Sequence, residues 1–311
     1  MKILLILDPL PTLKIYKDSS YAILREAASR QHEIYVAQVD DLAVHSGQAQ
    51  AQTQRLHLTG RSEDWYQLES AVTTPLTQFD AVLMRKDPPF DMEYLYATHV
   101  LQHAARAGAK VFNHPQAIRD HNEKLAILEF PQFTAPTLVA RRQATLKAFI
   151  AEQGEVVLKP LDGMGGSRIF RVRQGDPNLN VILETLTELE QQTIMAQRYL
   201  PEIKDGDKRI LLIAGQPVDY ALARIPAQGE TRGNLAAGGS GRAQPLSVRD
   251  REIAQALGPI LWARGLFLVG LDVIGDCLTE INVTSPTCFQ EITQQTGCNV
   301  AAIFVNALES V

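Results

Sequence analysis

The chain is poor in cysteine. Its three residues, Cys277, Cys288 and Cys298, show no C-x-x-C spacing and leave an odd count, which fits a reducing cytoplasm better than a disulfide framework. A basic excess is also missing. With 30 Lys and Arg against 35 Asp and Glu, the net charge of -5 argues against nucleic acid or an acidic membrane as partner. Local basic clusters can still hold small anions. Long apolar runs are absent too: the opening "MKILLILDPLP" ends its run at Asp8 and Pro9, too short for a signal-peptide core or a membrane span. It reads as a first buried strand. No repeat or low-complexity tract appears, and none of the seven histidines stands in the motifs described below.

What is present is ordinary for a soluble globular protein, with 45% hydrophobic and 21% charged residues. A length of 311 residues exceeds the usual single domain, so two or three are expected. Residues 1–121 alternate "KILLIL", an amphipathic "SSYAILREAASRQ" capped by Asp18 or Ser19, "EIYVAQV", "DAVLM", a helix near 92–107 and "KVFN". This predicts an α/β domain on a parallel sheet, with ligands at the carboxyl ends of the strands. The loops "DPLPTLKIYKDSS" and "RKDPPFD" sit at such ends. Residues 40–78, polar and Gln-rich with a short strand at "QRLHL", read as an insertion without chemistry. Residues 122–200 form a small α+β unit, in which "NEKLAILEF" opens a helix and "EVVLKPL" pairs with "SRIFRV". Residues 201–311 hold the hairpins "RILLIAGQPVDYALARI" and "FLVGLDVIGDCLTEINV", the helix "SVRDREIAQALGPILWARG" and a C-terminal helix.

The last hairpin carries Asp272, Glu280 and Asn282 where a buried hairpin wants no polar residue. Alternation puts Glu280 and Asn282 on one face. A strict two-residue turn at Gly275 and Asp276 would pair Asp272 with Thr279, whereas a turn through Cys277 would set Asp272 opposite Glu280. Converging, the three make a hard oxygen site suited to Mg²⁺ or Mn²⁺ and not to zinc. An isolated E-x-N also describes a solvent-facing strand, so the other motifs must decide.

The loop "LKPLDGMGGSRIF" places Gly163, Met164, Gly165 and Gly166 at a hairpin tip, where glycine N–H groups can approach phosphate oxygens. A strand follows it, which excludes a P-loop. Lys159 enters this flap and Lys124 sits at the domain junction; together they could neutralise phosphates. In the other hairpin, a Gly215–Gln216 turn would pair Arg209 with Leu222 and Asp207 with Arg224. Both arginines and Asp207 then share a face able to clamp a phosphoryl group or a carboxylate. The glycine-rich stretch "PAQGETRGNLAAGGSGRAQP" that follows reads as a lid over residues 226–241.

The order Lys124, Lys159, glycine flap, "MAQRYL", Arg209, Arg224, Asp272 and E-x-N at 280–282 resembles the ATP-grasp carboxylate-amine ligases. Within them "RKDPPFD", "LKPLDGMGG", "KDGDKRIL", "RIPAQGETRGNLAAGG" and "GLDVIGDCLTEINVTSPT" look like the bacterial glutathione synthetase family over nearly the whole chain. The resemblance implies an ATP-grasp fold, α/β and α+β, with three domains at 1–121, 122–200 and 201–311. It implies ATP between the second and third, its phosphates on Lys124, Lys159 and the flap, and its adenosine on Gln197, Arg198, Tyr199, Leu200 and Asp207. Two Mg²⁺ (or Mn²⁺) ions would be held by Asp272, Glu280 and Asn282, and the transferring phosphoryl group would face Arg209, Arg224 and Asn234. The dipeptide site would draw on Lys17, Asp18, Ser19 and Ser20 with Arg85 nearby, and Ser285, Pro286 and Thr287 would lie beside the acceptor amine. Arg168, after the flap, is bulkier than the small residue expected there.

The implied reaction joins γ-L-glutamyl-L-cysteine to glycine with ATP, giving glutathione, ADP and phosphate through an acyl phosphate. The resemblance also implies a cytoplasmic homo-oligomer, a tetramer, with neither nucleic acid nor membrane as partner. Two rival readings share the nucleotide residues. Another ATP-grasp peptide or amino-acid ligase would lack "RKDPPFD" and the lid, and a non-catalytic nucleotide-binding regulator would lose a metal ligand or the lid.

Overall fold

The N-terminal apolar run forms β1 (Lys2–Ile6), with Ile3 to Ile6 buried as in a parallel strand covered on both faces. The computed structural model describes residues 1–163, 165–230, 233 and 238–311. Asp18 settles the choice of cap for α1 (Ser19–Ser29): its Oδ1 accepts the Tyr21 N–H at 2.7 Å. There follow β2 (Glu33–Ala37), β3 (Leu42–His45), β4 (Gln48–Leu58), β5 (Tyr66–Leu68), β6 (Val72–Pro75) and β7 (Ala81–Met84). Helix α2 (Met92–Arg106) and β8 (Val111–Phe112) complete this part of the chain.

The sheet runs β3-β4-β2-β1-β7-β8, with β5 and β6 paired to β4. Strands β1, β2, β7 and β8 are parallel, the core expected of the alternating pattern. The rest is antiparallel, because β4 pairs that way with β2, β3, β5 and β6. The sheet is therefore mixed, and residues 40–78 extend it. Along β4, Ala49, Ala51 and Thr53 point inward and alternate with outward glutamines, a two-residue period that the polar composition masks.

After α3 (Pro115–Asp120), the stretch expected as a helix is only a 3-10 segment, Leu125–Glu129. Asn122 Oδ1 accepts the N–H groups of Lys124 and Leu125, and Pro131 follows, so no α-helix propagates. Strand β9 (Thr137–Ala140), α4 (Gln143–Gln153), β10 (Glu155–Pro160), β11 (Phe170–Arg173), α5 (Leu179–Thr187) and β12 (Ile194–Arg198) form a second unit. Its antiparallel sheet has the order β11-β10-β12-β9 and a core of its own, built on Leu146, Ile150, Leu158, Leu183 and Ile194.

The third sheet, β15-β14-β13-β16-β17, is built from β13 (Asp207–Ile213), β14 (Gln216–Ile225), β15 (Ser240–Pro245), β16 (Leu268–Ile274) and β17 (Cys277–Asn282). Helix α6 (Val248–Ala263) precedes β16, and α7 (Phe289–Thr296) and α8 (Val300–Glu309) close the chain. Its core is continuous with the first sheet's, since Ile3, Leu5, Ile23 and Leu24 cluster with Leu211, Phe267, Phe289 and Phe304. Buried Asn113 ties the two sheets together. Its Nδ2 donates to the carbonyls of Leu268 and Val283 at 2.8 and 2.7 Å, and its Oδ1 accepts the Leu268 N–H. Among the described residues no helix is long and apolar enough to cross a membrane.

Candidate active site

Both site hairpins pair as the chemistry requires, although neither turn is the one that would give that pairing directly. In β16–β17 the turn is a two-residue Gly275–Asp276, with Ile274 opposite Cys277 and Gly275 at φ +56°. Unbroken, that register would set Asp272 against Thr279. A bulge after Val273 and Leu278 takes up Thr279 and delivers Asp272 opposite Glu280 and Gly270 opposite Asn282. Thr279 Oγ1 donates to the Asp272 carbonyl at 3.2 Å, holding the bulge. In β13–β14 the turn is Ala214–Gly215, with both residues at positive φ, in place of Gly215–Gln216. A shift between Ile210 and Leu212 restores the expected pairs, Arg209 with Leu222 and Asp207 with Arg224.

One sheet face therefore presents Asp207, Arg209, Arg224, Asp272 and Glu280 together, because β13 also pairs with β16 and sets Arg209 beside Asp272. Arg209 donates to Asp272 from Nε at 2.5 Å and from Nη2 at 3.0 Å, and Arg224 Nη2 reaches Asp272 Oδ2 at 2.8 Å. Arg224 Nη2 also reaches Asp207 Oδ2 at 2.6 Å. All four groups are largely withdrawn from water, Asp272 being 3% exposed. Against the cost of burial, Arg209 and Arg224 hold the Asp272 carboxyl below the usual carboxylate range. Burial pushes Asp207 up to about 6 in spite of Arg224. Gly270 makes room for this clamp, since a Cβ there would lie 2.8 Å from Arg209 Cδ.

Two chambers meet on this face. The first lies between the second and third sheets and is lined by Lys124, Lys159, Gly163, Gly165, Gly166, the Gln197–Leu200 strand end, Asp207, Asp272 and Glu280. Val157, Ile169, Leu200, Ile203 and Ile274 give it an apolar wall. Lys159 Nζ donates to Gln197 Oε1 at 3.1 Å, and burial lowers its pKa. Lys124 Nζ donates to the Gly163 carbonyl at 2.7 Å and stands 3.6 Å from Glu280 Oε1. Asp207 Oδ1 is buried without a hydrogen-bond partner, which leaves an acceptor on the chamber's rim. Arg168 turns outward to the Thr185 carbonyl and Glu188 and is absent from the lining.

The second, wider chamber shares Gly163, Gly165, Asp272 and Glu280 with the first and adds Arg209, Arg224 and Asn282. Lys17, Asp18, Ser285, Pro286 and Thr287 line it as expected, together with Lys14, Lys86, Asp87, Glu123 and Glu291. Ser19, Ser20 and Arg85 lie behind the wall. Ser19 Oγ accepts the Phe289 N–H, and Arg85 donates from Nε to Ser20 Oγ and from Nη2 to the Pro286 carbonyl. Met164 and Asn234 lie outside the described residues, as does much of 226–241. Gly233 is described: a Cβ there would come 2.4 Å from the Arg224 carbonyl oxygen.

Glu123 and Glu291 escaped sequence reasoning. Glu123 Oε1 accepts the N–H groups of Val283 and Thr284 at 2.9 and 3.1 Å and the Thr284 hydroxyl at 2.8 Å, fixing the loop before Ser285. Its only signal was adjacency to Lys124. Cys288 is buried, and burial raises its thiol, which fits an inert small hydrophobe.

As a donor set, Asp272, Glu280 and Asn282 offer hard oxygens from paired positions of two strands facing the shared wall. Asn282 Nδ2 is spent on the Gly270 carbonyl, which leaves its Oδ1 for a cation, and among the described residues Glu280 has only the distant Lys124 contact. Asp272 fits once an arginine contact yields.

The three sheets and the cleft between the second and third define an ATP-grasp enzyme. Solved structures with this fold include the D-cycloserine synthetase DcsG, 16% identical with a TM-score of 0.70 and 99% of each chain covered. The ATP-grasp ligase PsnB complexed with a precursor variant, Mg and ADP is 18% identical with a TM-score of 0.63, covering 100% of this chain and 98% of that one. At such identities the likeness concerns the fold. The sequence narrows the class: residues 1–119 match the prokaryotic glutathione synthetase N-terminal domain and residues 123–297 its ATP-grasp domain. The glutathione synthetase of Ralstonia nicotianae is 62% identical over 99% of this chain and 95% of its own, and that of Nitrosomonas europaea 61% over 99% and 98%. The chain belongs to the prokaryotic glutathione synthetase family.

Proposed function

We infer that this chain makes glutathione, ligating γ-L-glutamyl-L-cysteine to glycine with ATP through an acyl phosphate. The observation that carries the reading is the shared wall: among the described residues, the cleft lined by the two lysines and the wider polar chamber have in common the flap glycines Gly163 and Gly165 with Asp272 and Glu280. A phosphoryl group can pass between molecules there without a protein nucleophile. A carboxylate is a poor electrophile, since its charge repels the amine and it has no leaving group. Phosphorylation removes both obstacles.

We place adenosine against the apolar wall and the backbone of Gln197–Leu200, with a ribose hydroxyl donating to Asp207 Oδ1. Lys124, Lys159 and the flap N–H groups then face the phosphates. Arg209 and Arg224 turn from Asp272 to the equatorial oxygens of the moving phosphoryl group and to the dipeptide carboxylate. Two Mg²⁺ or Mn²⁺ ions on Asp272, Glu280 and Asn282 would supply charge neutralisation between the phosphates. Glu123 holds the Val283–Thr287 loop against the acceptor amine. Residues 226–241, including Asn234, cover the intermediate from water. The division at 1–121, 122–200 and 201–311, a cytoplasmic location and a tetrameric assembly complete the proposal; sedimentation velocity tests the last.

The deciding assay is ADP release with paired candidate substrates. Glutathione and phosphate should appear one for one with γ-glutamylcysteine and glycine, and omission of the dipeptide should stop ADP release. Faster turnover with D-alanine or with a longer peptide would transfer the assignment to another ATP-grasp ligase.

A further inference from the structure

The second chamber has an end that the chemistry above does not use. Past the arginine clamp, its lining passes from Cys288 to Glu291, one turn further along α7, and then to Lys14, Lys17 and Asp18. This juxtaposition is built. Gln290 Nε2 donates to the carbonyls of Ile15 and Asp18, both at 2.7 Å, and Ser19 Oγ accepts the Phe289 N–H, so the first turn of α7 is tied to the loop before α1. Glu291 Oε2 is buried with no hydrogen-bond partner among the described residues. Burial raises the carboxyl of Glu291, which Lys17 opposes, and burial raises that of Asp18 as well. A carboxylate oxygen withdrawn from water and left unpartnered destabilises the chain, and a bound cationic donor would offset that.

We propose that Glu291 is a specificity-determining residue that receives the α-ammonium of the γ-glutamyl end, with Asp18 beside it and Lys17 on the α-carboxylate. The inference rests on placing the dipeptide in this chamber. A γ-linked glutamyl residue keeps ammonium and carboxylate on a single carbon, remote from the cysteinyl carboxylate that is phosphorylated. Paired charges of opposite sign on one rigid junction match that zwitterion. An α-linked dipeptide, whose ammonium and side-chain carboxylate lie on different carbons, does not satisfy both charges at once.

The test compares γ-glutamylcysteine with N-glutaryl-cysteine, which lacks only the ammonium, in the wild type, Glu291→Gln and Lys17→Met. Each variant is assayed on both substrates, so loss of folded protein cancels in the ratio. Glu291→Gln should lower kcat/KM for γ-glutamylcysteine about tenfold or more, chiefly through KM, and change that for N-glutaryl-cysteine less than about twofold. The KM for ATP should not move, and Glu291→Asp should recover part of the preference. An equal loss on both substrates, or no loss, while Lys17→Met raises the dipeptide KM, overturns the role of Glu291 alone. Unchanged dipeptide KM values in both variants overturn the placement itself.

Discussion

Asp272 and Glu280 face each other across one ladder and are assigned to the same ions, yet the structure separates their contributions to stability. Asp272 is 3% exposed and takes three contacts of 2.5 to 3.0 Å from two buried arginines. Asp272→Asn removes the charge and leaves those guanidiniums, among the described residues, with Asp207 as the remaining close carboxylate. Breaking a buried pair by removing one partner costs about 3–5 kcal/mol. At roughly 2 °C per kcal/mol for a chain of this length, Tm should fall by about 6–10 °C. Glu280 is partly open to the chamber, and among the described residues its ion-pair contact, to Lys124, is 3.6 Å long. Glu280→Gln should cost less than about 1 kcal/mol and move Tm by no more than about 2 °C. Both substitutions should lower turnover by about 10² or more, since each removes a charged oxygen facing the phosphates. The assay is thermal melting without nucleotide or metal, beside ADP release at limiting Mg²⁺. An Asp272→Asn protein that melts with the wild type would refute the arginine clamp as a stabilising unit. Wild-type turnover in Glu280→Gln would refute the metal assignment.

Three further outcomes are expected. Gly270→Ala should drive Arg209 off Asp272, because its Cβ would sit 2.8 Å from Arg209 Cδ; kcat should drop about tenfold or more with little change in the KM for ATP, and unchanged kcat counts against the clamp. Gly233→Ala places a Cβ 2.4 Å from the Arg224 carbonyl, so the segment must shift. Phosphate released per glutathione should then exceed that of the wild type, and ATP with dipeptide should slow tryptic cutting at Arg242; an unchanged ratio together with unchanged cutting removes the covering role of 226–241. Finally, alkylation of the native protein followed by mass spectrometry should modify Cys277 and Cys298 before buried Cys288, and the reverse order would show a reactive thiol there.

Much of the site was legible because alternation along strands is a strong rule. It set Arg209, Arg224 and Asp207 on one face of their hairpin and Glu280 with Asn282 on one face of theirs, and the pairing of β13 with β16 makes these a single sheet face. What it could not show was the route to the register. A bulge at Thr279 and an irregularity that sets Val218–Tyr220 against Leu211 correct each turn, and nothing in "GDCLTE" or "GQPVDY" marks the extra residues. The antiparallel extension was hidden in "QAQAQTQ" because glutamine suggests a loop while alanine contributes little hydrophobic signal. Ser19, Ser20 and Arg85 stand near the expected substrate site but serve to join α1 to the Pro286 loop. Glu291 reaches Lys17 only through packing of chain segments more than 270 positions apart, which no local pattern encodes.

The Asp272 clamp also bears on the order of events. The arginines are neutralised by the very carboxylate that would coordinate the ions. A cation drawn to Asp272 weakens its hold on Arg209 and Arg224, and an anion drawn to those arginines frees Asp272 for the cation. Each ligand therefore raises the affinity of the other by the same factor, as linkage demands. On the proposed placement, metal–nucleotide and dipeptide would be coupled through a swap of counter-ions within a few ångströms, with no movement of a sheet required. An anion that occupied the arginines alone should tighten metal binding, and a chelator should loosen the dipeptide.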